Sequence, residues 1–288
     1  MIGSGPFGQR PAGSFNFARP SSEVVLYLED SPRRMRATLE GVTVVDSVRA
    51  KLLHQSGRLP VHCFAADDVR MDLLAPSGRI ETSPGRGDAE WLDAAVGDRR
   101  VEGAGWRWVR ADPAAPRLEG LVTLRWGAMD SWWEEDEEVF VHVRDPYHRV
   151  DVLPSSRRVV VRLAGETMAE SSAARVLFET SAPPRWYLPP KDVRQERLIP
   201  MDLVTRCAYK GRARFWAVEA GGRRHDAVAW SYPEPNSAVG PIAGRVAFFV
   251  EQAEHEIDGV VQPTPASPWS SPDWWRPAAA GPPGISRP

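Results

Sequence analysis

The feature that most constrains this chain is an internal echo: residues from Ser31 onward recur 124 positions later in one gap-free register. Ser31, Arg33, Arg34, Leu39 and Gly41 return as Ser155, Arg157, Arg158, Leu163 and Gly165. Thr43, Ser47, Ala50, Leu53 and Pro60 return as Thr167, Ser171, Ala174, Leu177 and Pro184, and Asp68, Val69, Arg70 and Leu74 as Asp192, Val193, Arg194 and Leu198. Gly87, Gly97, Trp106 and Val122 are matched by Gly211, Gly221, Trp230 and Val246. Identities this frequent in a fixed register mean a duplicated domain. A chain of 288 residues has room for two such units, each large enough for its own apolar core.

Short alternating runs separated by Gly, Pro and Asn mark each unit as all-β, with about seven or eight strands expected in each. Val159 to Leu163, a turn at Gly165 and Thr167 to Ala169 read as a hairpin, and the residues 124 positions earlier repeat it. No helical periodicity is sustained over a long window. The expected organisation is a flexible arm over 1–22, a first β domain over 23–130 and a connecting segment over 131–154, then a second β domain over 155–261 and a flexible tail over 262–288. Arm and tail are rich in Gly, Pro and Ser, too polar to offset their ordering entropy unless Trp269, Trp274 and Trp275 dock on a surface. The connecting segment holds Trp132, Trp133 and the acidic run from Glu134 to Glu138, followed by strand-like alternation from Val139 to Val143.

A net charge of −2 gives no general attraction to phosphate backbones or anionic membranes, so neither nucleic acid nor membrane is an expected partner. Residues 1–20 lack an apolar core of signal-peptide length, and nothing approaches a membrane span. Cys63 and Cys207 are not equivalent in the two copies, so no disulfide is implied and a cytoplasmic location is expected. The six histidines show no paired metal-ligand spacing, and neither a metal nor a cofactor is expected. His142-Val143-Arg144-Asp145 has the look of a kinase catalytic loop, but no Gly-rich loop or Asp-Phe-Gly accompanies it.

The densest chemistry is Thr205-Arg206-Cys207-Ala208-Tyr209-Lys210-Gly211, followed by Phe215-Trp216 and by Trp230-Ser231-Tyr232-Pro233-Glu234-Pro235. With Pro241-Ile242-Ala243-Gly244-Arg245-Val246-Ala247-Phe248, this block resembles the domain-of-unknown-function 427 family, whose signature is Thr-x-Cys-Pro-Tyr-Lys-Gly with an aromatic-Trp pair and a Trp-Ser-Tyr-Pro-x-Pro turn. The resemblance covers nearly all of 150–260, whereas the first unit follows it from Arg33 to Leu74 and then drifts. Ala208 stands where the signature has proline, and the first unit carries Ser83-Pro84-Gly85-Arg86-Gly87 there, without Cys, Tyr or Lys. The resemblance implies a small, strongly bent β-sandwich, or β-tent, in each unit and implies no established activity. A nucleotidyltransferase label attached to some family records finds no support, because no Gly-Ser followed by Asp-x-Asp is present to hold magnesium and triphosphate.

From the residues themselves, Tyr187, Tyr209, Trp216 and Trp230 offer flat apolar walls, with Arg194 and Lys210 at their edges, a set suited to an amphipathic or planar small molecule. Each indole is also an ordinary filling for a small β core. Asp192 and Arg194 recur as Asp68 and Arg70 in a copy that lost the lysine loop, so a scaffold role comes first for them. The leading expectation is a small-molecule-binding module with an aromatic-lined cleft in the second domain. Two rivals stand beside it: an enzyme using Lys210 or Cys207, and a protein-interaction scaffold in which the repeat forms a pseudo-dimer within a monomer.

Overall fold

The computed structural model describes residues 25–56, 58–83, 85–267, 269–271 and 274. The arm expected over 1–22 and Trp275 lie outside the described residues. The chain divides between Asp145 and Pro146 into two compact units. Each unit pairs a seven-stranded sheet with a four-stranded one, antiparallel throughout, which exceeds the strand number expected from sequence because the small sheet adds short pieces.

In the first unit the large sheet runs Leu26–Asp30, Lys51–Gln55, Val61–Ala65, Leu121–Leu124, Arg99–Ala111, Gly87–Val96, Leu74–Ser83. In the second it runs Val150–Ser155, Ala174–Glu179, Arg185–Leu188, Val246–Phe248, Arg223–Ser231, Gly211–Ala220, Leu198–Cys207. The two orders are the same, and the internal echo carries even the irregularities. The register slips between Pro76 and Ile80 in one copy and between Pro200 and Val204 in the other. Proline cannot donate to a ladder, and a bulge is where a strand tolerates one.

Each small sheet is built on the first hairpin of its unit, Met35–Leu39 with Val42–Ser47 and Val159–Leu163 with Glu166–Ser171. The segment read from sequence as a connector is divided between the units. Ser131–Glu134 pairs with Met35–Leu39, and Val150–Ser155 is the edge of the second large sheet. Alternation is the reason: Trp132 and Glu134 turn inward at 3% and 5% exposure while Trp133 does not. The acidic run is correspondingly tied down, with Glu134 accepting from Arg33 Nη1 at 2.5 Å and the Glu135 carboxylate from the Arg34 amide at 2.8 Å.

Period-two alternation gives each large sheet two apolar faces. In the second unit Val176, Trp186, Leu188 and Val218 face the small sheet and pack with Val159, Val161 and Leu163. Their neighbours Leu177 and Tyr187 face the other way and pack with Phe215, Trp230 and Phe249. The first unit repeats the division, with Met35, Leu39, Phe64 and Leu92 in one cluster and Leu53, Cys63, Ala89 and Trp108 in the other. The duplicated aspartates brace the same corner in both copies: the Ser47 hydroxyl donates to Asp68 at 2.7 Å and that of Ser171 to Asp192 at 2.6 Å.

Two buried histidines set an acid limit on this fold. Burial pushes His62 and His255 down to about 4, so the folded units hold them neutral. The stabilisation is complete above the ordinary histidine value and is lost as pH falls from about 6.5 to about 4, because the unfolded chain protonates first. Urea denaturation at stepped pH should show each unit losing roughly 3 kcal/mol across that window. His62→Gln and His255→Gln should flatten the dependence in their own units.

Candidate functional site

Leu198–Cys207 and Gly211–Ala220 form a hairpin whose turn carries Ala208, Tyr209 and Lys210. Gly211 has φ +94°, where any other residue is strained, and a Cβ there would press on Asn236 Oδ1 at 3.1 Å. Asn236 in turn locks the loop. Its Nδ2 donates to the Ala208 carbonyl at 3.0 Å and its amide to the Lys210 carbonyl at 3.1 Å.

The ammonium of Lys210 forms an ion pair with Glu179, and His148 Nε2 lies 3.1 Å from the same carboxylate. The His148 ring stacks on Tyr209 with centroids 4.1 Å apart and planes 19° apart. Three strands separate Ala174–Glu179 from Gly211–Ala220 in the large sheet. In a flat sheet these positions would lie about 19 Å apart, beyond the reach of a lysine and a glutamate. The sheet therefore curls, and this cluster fastens the curl.

Burial opposes the charge on Glu179, but Lys210 and the His148 hydrogen bond outweigh it and lower the carboxyl to about 2. Burial likewise opposes the charge on Lys210, yet Cys207, Glu179 and Tyr187 around it raise it above the ordinary lysine range. Tyr187 and Tyr232 are both pushed up, chiefly by burial. Lys210 is thus engaged as a cation, its ammonium turned to the Glu179 carboxylate.

Of the residues singled out from sequence, Tyr187, Tyr209, Lys210 and Trp230 come together. Tyr187 is 1% exposed, and its hydroxyl accepts from Trp230 Nε1 at 3.1 Å. Both rings are thus core walls with their polar atoms satisfied. Trp216 does not join them: it follows Phe215 on the strand, so it points to the opposite face and packs between the sheets. Arg194 also lies apart, exposed between two 3-10 turns, with its amide bonded to Met168 O at 2.9 Å. Cys207 is half-buried and free.

Sequence reading missed Glu179, His148, Arg185 and Glu251. Arg185 and Glu251 form a buried pair, with Arg185 Nη2 donating to Glu251 Oε1 at 2.7 Å, and Ser267 donates to the same carboxylate at 2.5 Å. The Arg185 guanidinium also sits 5.6, 5.3 and 5.2 Å from the rings of Trp230, Phe249 and Trp269. Trp274 packs 5.5 Å from Phe215 and 5.2 Å from Phe249. The tail expected to be flexible is thus docked at Ser267, Trp269 and Trp274, because a buried charge and an aromatic face hold it. The readable signal was a difference between copies, in which Gln55 and Arg86 of the first unit become Glu179 and Lys210 of the second.

Among the described residues no group of three or more His, Cys, Asp or Glu is placed to hold a metal. No helix of the described residues is long and apolar enough to cross a membrane. The architecture defines the chain as a tandem of two all-β units, each with a four-stranded sheet and a seven-stranded one. The family model described as Domain of unknown function (DUF427) matches twice, over residues 27–135 and 151–259, and the chain belongs to that family as a duplicated member. No curated protein matches it.

Removing one member of the buried pair leaves the other charge unpaired, so Glu179→Gln should cost roughly 3 kcal/mol in the second unit. The parent's contribution from this carboxyl is complete above about 4.5 and lost as pH falls towards 2, and the variant should lack that portion of its acid transition. Chemical denaturation of both proteins between pH 7 and pH 3 measures it.

Proposed function

We propose that the chain is a small-molecule-binding protein whose second unit carries an aromatic-walled cleft for flat apolar groups. The observation that carries this reading is the tail itself. Trp274 and Trp269 come from beyond the last strand and seat their indoles on the face made by Phe215, Phe249 and the Arg185 guanidinium. A face that accepts two indoles from its own chain has the walls and the charged edge that a planar ligand needs.

Of the rival reading as an enzyme using Lys210 or Cys207, the part built on Lys210 loses ground because its ammonium is paired with Glu179. The scaffold reading loses ground because Trp269 and Trp274 are spent on the second unit and are not offered to a partner. Free Cys63 and Cys207 fit a reducing compartment such as the cytoplasm.

Cavity rescue tests the cleft. Trp274→Ala should lower the stability of the second unit by about 2 kcal/mol, less than a fully buried indole because the ring is only half covered. Millimolar indole should then raise the melting temperature of the variant by several degrees and leave the parent almost unmoved. Equal effects of indole on parent and variant would remove the cleft from this position.

A further inference from the structure

The place that Lys210, Phe215, Trp230 and Tyr232 fill in the second unit is held in the first by Arg86, Trp91, Trp106 and Trp108, each 124 positions earlier. The first unit leaves a hollow there of about 230 Å³, lined by the three indoles with Ala89, Ser83, Glu81, Arg58 and Arg86. Neighbouring rings stand at 53° (Trp91 and Trp106) and 89° (Trp106 and Trp108), so they form walls and not a stack closed on itself.

The closing groups of the second unit are absent from this copy. Gln55 stands where Glu179 does, and Gly85 where Tyr209 does. Among the described residues Arg86 has no carboxylate partner, and its side chain bonds only the Ser83 hydroxyl, at 3.1 Å. Glu81 is committed elsewhere, to Arg79 at 2.9 Å and to Trp91 Nε1 at 3.2 Å. Burial and the neighbouring Arg58 both disfavour the charge on Arg86, and Glu81 only partly offsets them. The buried Nε1 atoms of Trp106 and Trp108 have no hydrogen-bond partner among the described residues. A half-buried guanidinium with no carboxylate partner, lining a hollow walled by indoles, calls for an anionic acceptor.

We propose that the hollow of the first unit binds a planar aromatic carboxylate of one or two rings, its ring between Trp91, Trp106 and Trp108 and its carboxylate on Arg86. The volume lies below that of a drug-sized site, which limits the ring system. Glu81 in the wall disfavours a dianion such as a phosphate monoester, so a single negative charge fits best. This site is independent of the cleft in the second unit, since no residue is shared.

Calorimetric titration of the full chain with 2-naphthoate, neutral 2-naphthamide and acetate tests it. 2-Naphthoate should bind one site per chain at least tenfold more tightly than the amide, and acetate should not bind measurably. Arg86→Gln, on a half-buried turn, should erase the preference for acid over amide and leave the amide's affinity within about twofold. Trp106→Leu should weaken both aromatic probes. Should that variant not fold, the indole N–H resonances of Trp106 and Trp108 in the parent should still shift on adding 2-naphthoate. Equal affinity for acid and amide, no binding of either, a preference that survives Arg86→Gln, or unmoved indole resonances would each overturn the proposal.

Discussion

A buried lysine–glutamate pair fastens the large sheet of the second unit across three intervening strands. Lys210 sits in the turn between the last two strands of the large sheet and Glu179 at the end of its second strand. A sheet twists of its own accord, but twist alone does not bring such distant strands together. In the second unit the pair ties them to each other at the cost of taking two charges out of water. It repays that cost only because the carboxylate also meets His148 and the turn is braced by Asn236. On one face of that sheet lies a buried aromatic cluster, in which Trp230 donates to the Tyr187 hydroxyl.

Duplication built the same frame twice and furnished it differently. The strand orders agree, as do the bulges after Pro76 and Pro200 and the serine–aspartate braces at Asp68 and Asp192. The contents of the curl diverge. In the second unit a charged pair and two tail indoles occupy it, whereas in the first Arg86 and three indoles line a hollow. A copy released from one set of closing contacts is free to expose the wall beneath them. The unit whose loop departs from the family pattern is accordingly the one with a described opening at this position.

Much of the fold was legible in the residues. The gap-free register located the strands of one copy from the other, and Gly211 marked a turn whose positive φ favours glycine. What escaped depends on three-dimensional closure. Glu179 and Lys210 are 31 residues apart and meet only because the sheet curls. Trp216 was grouped with Trp230 by composition, yet one step along a strand reverses the face, and Phe215 holds the place it was assigned. The tail was expected to stay flexible unless its indoles docked, and the partners met by Trp269 and Ser267, Arg185 and Glu251, are buried ions that no local pattern reveals. Ser131–Glu134 was taken as a connector although its alternating burial is that of a sheet strand.

An ionised, water-excluded carboxylate, that of Glu179, ties the strands of the second unit's large sheet through Lys210. The most direct measurement is a carbon-13 titration of the Glu179 side-chain carboxyl in the intact chain. The account requires the carboxyl to stay ionised well below the ordinary glutamate range, with its inflection near the value of about 2 to which Lys210 and His148 lower it. An inflection at the ordinary value of 4.5 would mean that the pair is neither buried nor formed, and would contradict the account at its base.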